Sequence, residues 1–288
     1  MRANVTGASR ASSYSFGTLL KQWRSTRGFS QLRLALESNV SSRHLSFIET
    51  GRSQPSRQMI INLSETLEIP LRERNALLEA AGYARVYSEG KLGDAEFKAV
   101  DIIVDRMLER HEPFSALLLN SRWDILKANK GHRVLWEAVT GSAPPRISEH
   151  PNLLVAALHP DGLRPYILNW DAIARSLLYR IRRELAANPR DEALQRLIEM
   201  VLELPGVREA WPTGLLPSMS SPILPLELRV GDQDIRLTSA ITTLGTPQDA
   251  VAQEFRIESF FPADDESLHV LMSLAGSGEG DQPAAPAA

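Results

Sequence analysis

Apolar residues recur at helical spacing through the first part of the chain, and the polar residues between them mark where each helix begins and ends. Phe16, Leu19, Leu20 and Trp23 make a stripe over residues 16–26, the pattern of a helix with one buried face. Ser30 is a good N-cap, and Leu34, Ala35 and Ser38 then give a second helix a small apolar face. Asn39 stands where the chain must turn, and asparagine tolerates the left-handed conformation better than most non-glycine residues. Val40 returns to the core. Ser41 or Ser42 caps a third helix, with Leu45 and Ile48 inward and Ser42, Arg43, His44 and Phe47 outward; Gly51 and Pro55 stop it. Met59, Ile60, Leu63 and Leu67 place a fourth helix over residues 57–67, and after Pro70 a fifth runs from Leu71 to Ala81, ending at Gly82.

The pattern then changes. Residues 86–95 are polar, carry two glycines and have no clear period, so a linker is expected there. Residues 96–110 form an amphipathic helix with Phe97, Val100, Ile103, Val104, Met107 and Leu108, which either joins two domains or pairs with its own copy in a dimer. From Phe114 the period shortens to two. FSALLLN, Ser121-Arg122 and WDILKAN read as a hairpin around a two-residue turn, and three further strands are expected at 223–230, 234–244 and 254–261. Their alternation fits an antiparallel sheet with one buried face and one wet face. Gly231-Asp232 supplies a turn, and Pro225 puts the third strand at an edge. Helices are expected between the strand groups over 131–139, 152–159, 170–187 and 191–204, with Ile173, Leu177, Ile181 and Leu185 as a buried stripe and Arg175, Arg182 and Arg183 outside. Two strands, helices, then three strands is the chain order of a PAS-like domain, an α+β fold with a five-stranded antiparallel sheet and helices over one face. Such a fold commonly encloses a cavity.

Length and charge sharpen this division. At 288 residues the chain can hold two domains with sizeable cores. Residues 1–85 contain 12 Lys and Arg against 6 Asp and Glu, a balance of +6, while the rest carries −9 and the whole −3. A basic head on an acidic body points to polyanion binding confined to the head. There is no cysteine, which excludes disulfides, thiolate metal sites and cysteine nucleophiles. No apolar run approaches the roughly 18 residues of a membrane span, and residues 1–13 are polar and Ser-rich without a secretion signal. A cytoplasmic protein is the default expectation. The expected organisation is multidomain: a tail at 1–13, an all-α five-helix head at 14–85, a linker at 86–95, a PAS-like domain at 96–275 and a Pro/Ala-rich tail at 276–288.

The second and third helices read as a helix-turn-helix whose outward chemistry suits DNA. Ser42 and Arg43 occupy the end that faces base edges, and arginine donates two bonds to guanine O6 and N7. Ser41, His44 and Phe47 lie beside them. Gln31 is placed to hold a phosphate, and Arg52 and Arg57 flank the following loop as further phosphate contacts. The bland alternatives are a helical hairpin with solvated charges and ordinary surface arginines. Residues 16–83 resemble the five-helix DNA-binding domain of the phage-repressor (Cro-type, XRE) family. The match rests on Leu20, Arg24, Gly28, Ser30, Gln31, Leu34, Ala35, Val40, Ser41, Leu45, Ile48, Glu49, Gly51 and Pro55, with Asn39 in place of the usual turn glycine. The resemblance implies a buried ion pair between Arg24 and Glu49.

The second half resembles the ligand-binding domain of MmyB-like regulators over residues 96–274. It does so in HEPFSALLLNSRWDILKAN from His111, NLLVAALHPDGLRPYILNW from Asn152, LPGV from Leu204 and TTLGTPQDAVAQEFRIESFFPADD from Thr242. That resemblance implies a transcription factor with a sensor able to hold a fatty acid or similar lipophilic acid. From periodicity, Leu153, Leu154, Leu158, Ile173, Leu177 and Ile181 line one wall of the expected cavity. Leu226, Leu228, Ile241 and Ile257 stand opposite, and Arg164 or His159 is available to meet a carboxylate. Catalytic patterns are lacking. His159-Pro-Asp-Gly162 is better read as a capped turn than as a metal site, the TTLGTP stretch from Thr242 lacks the lysine of a P-loop, and no GxSxG or HExxH occurs. The expected function is a non-enzymatic, homodimeric DNA-binding regulator without a cofactor, partnered by duplex DNA and a small lipophilic ligand. The alternative is a DNA-binding protein whose second domain only dimerises it.

Overall fold

A computed structural model describes residues 15–141, 151–189, 191–211, 223–245 and 249–277. The expected tail at 1–13, and all of that at 276–288 but Gly276 and Ser277, lie outside these residues. The chain divides into two compact units, residues 1–89 with 248–253 and residues 90–247 with 254–288.

The first unit holds five helices: α1 (Phe16–Thr26), α2 (Gln31–Glu37), α3 (Ser42–Glu49), α4 (Arg57–Thr66) and α5 (Leu71–Ala80). Local capping explains where four of them start. Ser15, Ser30, Ser41 and Ser56 each accept a hydrogen bond from the backbone N–H three residues on, satisfying a donor that has no partner within the helix. Asn39 takes a left-handed φ of 53° between α2 and α3, the role expected of it. Leu20, Leu34, Leu45, Ile48, Leu63 and Leu78 form a core of almost zero exposure. Helices α1 and α3 touch backbone to backbone at Gly17, where a Cβ would lie 2.5 Å from the Glu49 carbonyl oxygen. The start of α5 has no side-chain cap of its own, since Pro70 precedes it. Gln253 Oε1 accepts from Leu71 N at 2.8 Å instead, and Asp249 Oδ2 accepts from Ser88 Oγ at 2.6 Å. Val86 and Tyr87, placed in the linker by sequence, donate their N–H groups to Asn75 Oδ1 at 3.1 Å, so this stretch belongs to the first unit.

The second unit contains, in chain order, α6 (Lys98–Arg110), β1 (Ala116–Leu119), β2 (Ile125–Ala128), α7 (Lys130–Thr140), α8 (Leu153–Leu158), α9 (Trp170–Ala187), α10 (Glu192–Leu202), α11 (Val207–Ala210), β3 (Leu226–Val230), β4 (Gln233–Thr243), α12 (Ala250–Glu254, its first four residues counted with the first unit), β5 (Arg256–Pro262) and α13 (Asp265–Ser277). The five strands form one antiparallel sheet in the order β2-β1-β5-β4-β3. Strand β3 stands at an edge, as Pro225 implied. Gly231 at φ 58° makes the tight β3–β4 turn, the mirror-image geometry that matches strand twist.

Three features differ from the sequence expectation. The β1–β2 turn is longer than two residues, because Asn120 Oδ1 accepts from both Arg122 N and Asp124 N and Trp123 takes φ 67°. The reverse face of the sheet is not wholly wet: Leu118 and Ile257 meet Val104 and Met107 of α6 there. Helix α13 was not expected, and its Leu271 is buried in the cluster that contains Leu237 of β4 and Val139 of α7.

Candidate DNA-binding and ligand-binding sites

In the head, an ion pair joins the first and third helices. Arg24 Nε reaches Glu49 Oε1 at 2.6 Å and Nη2 reaches Oε2 at 3.1 Å, while Nη1 donates to the Phe29 carbonyl at 2.8 Å. The two side chains are 11% and 2% exposed. Bidentate geometry fixes the angle between donor and acceptor planes, so α3 is held in register with α1. Gln31 Nε2 donates to Glu49 Oε2 at 2.6 Å, so one of its two amide hydrogens is held by the buried carboxylate.

The outer face of α3 is polar at its start. Ser41 Oγ caps the helix by accepting from His44 N at 3.2 Å. Ser42 and Arg43 are exposed, and His44 and Phe47 are half-buried. The Arg43 guanidinium lies 5.4 Å from the Phe47 ring centroid, a cation–π distance that orients the side chain without neutralising it. Arg52 and Arg57 are exposed, and among the described residues no carboxylate pairs with either. Arg43, Arg52 and Arg57 are thus exposed cations that no carboxylate among the described residues pairs with.

In the second unit a cavity of about 140 Å³ lies between the sheet and helices α7, α8 and α9. It is close in size to an engineered apolar cavity of about 150 Å³ that binds benzene. Leu153, Ile173, Leu177, Leu226 and Leu228 line it. Leu154, Leu158 and Ile181 do not. They are fully buried in the neighbouring core. His159 and Arg164 also lie outside the lining: His159 Nδ1 accepts from Asp161 N at 3.0 Å, and Arg164 bonds the Pro205 carbonyl and stacks 3.8 Å over Trp170. Ile241 is 44% exposed. Ile257 faces α6, since in β5 it is the adjacent Glu258 that pairs across to Leu117 and Ile241.

Sequence reasoning missed the polar part of this wall. Glu258, Arg180, His132 and Ser115 are lining residues. Arg180 Nη1 lies 3.5 Å from Glu258 Oε1, and its guanidinium sits 4.3 Å over the Trp123 ring. The Glu258 side chain is 5% exposed, and its Oε2 is buried without a hydrogen-bond partner. His132 Nδ1 lies 3.0 Å from Ser115 Oγ. Burial pushes the His132 pKa down to about 4, with Arg133 adding a smaller push in the same direction, so the imidazole is neutral near pH 7. Arg180 was within reach of sequence, because it follows Ile173 and Leu177 at helical spacing on α9.

A helix-turn-helix with uncommitted arginines, joined to a domain with an apolar cavity, defines a DNA-binding transcription regulator with a ligand-binding domain. Residues 100–274 match the family model of the MmyB-like transcription regulator ligand binding domain, and residues 20–74 match that of a helix-turn-helix. The chain belongs to the MmyB-like transcription regulators. No curated protein matches it. Among the described residues no helix is long and apolar enough to cross a membrane, and no cluster of His, Asp and Glu is suited to hold a metal.

Proposed function

We propose that this regulator senses a small lipophilic molecule such as a fatty acid in the cavity of its second domain, and that occupancy changes how a pair of heads binds operator DNA. The observation that carries the reading is the aliphatic lining between sheet and helices, where Leu153, Ile173, Leu177, Leu226 and Leu228 border the cavity. Burying a hydrocarbon chain there is worth about 0.8 kcal/mol per methylene. Organic extraction of the purified protein followed by mass spectrometry tests it. A medium-chain lipophilic compound recovered in stoichiometric amount supports the reading; extracts indistinguishable from a control protein count against it.

A second reading, in which the second domain only pairs two chains, draws on Ile102 and Ile103 of α6. They are 43% and 48% exposed, a surface suited to a helix from a second copy.

For the DNA contacts, Ser42 and Arg43 are assigned to base edges and Arg52 and Arg57 to phosphates. Arg43→Ala is expected to weaken operator binding by about 1–3 kcal/mol and relax preference at one base pair. Arg52→Ala weakens binding to all sequences and lowers the salt slope by about one. Titrations at several salt concentrations separate the two, and an Arg43→Ala protein with unchanged operator preference would remove Arg43 from the reading role.

A further inference from the structure

The charges at the cavity are already balanced. Arg180 is answered by Glu258 at 3.5 Å and by the Trp123 ring. Farther along α9, Glu184 pairs with Arg256 and accepts from Trp123 Nε1 at 2.8 Å. His132 on α7 is neutral, and Arg133 beside it is exposed. What the wall lacks is hydrogen bonds. Glu258 Oε2 is a buried acceptor with no donor, and Trp136 Nε1, on another lining residue, is a buried donor with no acceptor. Buried polar atoms of this kind are rare, because each forfeits its hydration without compensation. An anion placed here would add an uncompensated charge next to a carboxylate whose Oε2 already lacks a donor. A neutral head that donates and accepts would complete both groups.

We propose that the ligand's head group is uncharged when bound and donates a hydrogen bond to Glu258. The ligand class is then a short amphiphile carrying a protonated carboxylic acid, a primary amide or an alcohol, and not a carboxylate anion. This rests on the reading of the cavity as a ligand site. It makes Glu258, with Trp136 opposite in hydrogen-bond sense, the residue that sets head-group specificity.

Calorimetric titration of the full chain with octanoic acid and with octanamide, at pH 5.5 and pH 7.5, tests the proposal. His132 keeps one protonation state across this window, since its pKa is about 4. The amide is expected to bind equally at both pH values. Octanoic acid, whose carboxyl ionises near the usual carboxylate range of about 4–5, is expected to weaken roughly a hundredfold, in step with its neutral fraction. Glu258→Gln replaces the acceptor with a donor and is expected to lower octanamide affinity about tenfold; if that variant does not fold, the comparison on the unmodified chain decides alone. Tight, pH-independent binding of octanoic acid with weak binding of the amide overturns the proposal while leaving the ligand reading intact. Binding of neither compound at either pH removes both.

Discussion

Replacing Arg24 with alanine is expected to destabilise the DNA-binding head by about 3–5 kcal/mol, the cost of stranding a buried charge. Glu49 is the more deeply enclosed partner, at 2% exposure against 11%, and its carboxylate is the group left behind. Gln31 still donates to Glu49 Oε2, which offsets part of the loss. Glu49→Ala is expected to cost less, because Arg24 keeps its bond to the Phe29 carbonyl and can bring its remaining donors to water. A surface pair would be worth only about 0–1 kcal/mol. Amide hydrogen exchange across α1 and α3 in the full chain, for each single variant and the double variant, reads the coupling directly. A double variant whose loss equals the sum of the singles would show the two residues to act independently.

Leu177→Trp is expected to abolish ligand uptake while the second domain stays folded. Leu177 lies on the cavity wall and is half-buried, so a larger side chain has about 140 Å³ of adjoining space to enter. If the space were instead ordinary tight packing, the same substitution would overpack it and cost about 1–3 kcal/mol. Calorimetry with a medium-chain and a long-chain fatty acid, run beside thermal melts of both proteins, distinguishes the cases. Lost binding at unchanged melting temperature fits the cavity; a lowered melting temperature with binding retained contradicts it.

The head was the most legible part of the sequence because its signals are local. A serine cap and an apolar residue three or four positions on act within one turn of helix, and Asn39 announces the left-handed turn by its own side-chain chemistry. One edge strand and one turn of the sheet also followed from local marks, Pro225 for β3 and Gly231-Asp232 for the β3–β4 connection. The wall of the cavity was less legible, for two physical reasons. Helix α6 covers part of the sheet's reverse face, so alternation in β5 no longer tells inside from outside, and Ile257, expected on the cavity wall, faces α6 instead. A carboxylate in a strand reads as solvent-facing, and only the tertiary pairing with Arg180 shows why Glu258 tolerates burial. Leu154, Leu158 and Ile181 share their spacing with true lining residues, and periodicity cannot separate a side chain facing a neighbour from one facing space. Helix α13 escaped notice because its apolar residues run almost continuously from Val270 to Leu274 without a clear helical period.

On the proposed function, cavity and DNA site are thermodynamically linked. The direct test is to measure operator affinity, on DNA selected from a random pool, with and without a saturating amount of the compound extracted from the protein. Ligand affinity is then measured with and without that DNA. Linkage requires the two ratios to be equal, and a regulator of this kind is expected to give a factor of about 5–150 in both. Equal, non-unit ratios that vanish in Leu177→Trp are the predicted result. Operator affinity unchanged by a ligand that demonstrably fills the cavity would contradict the account.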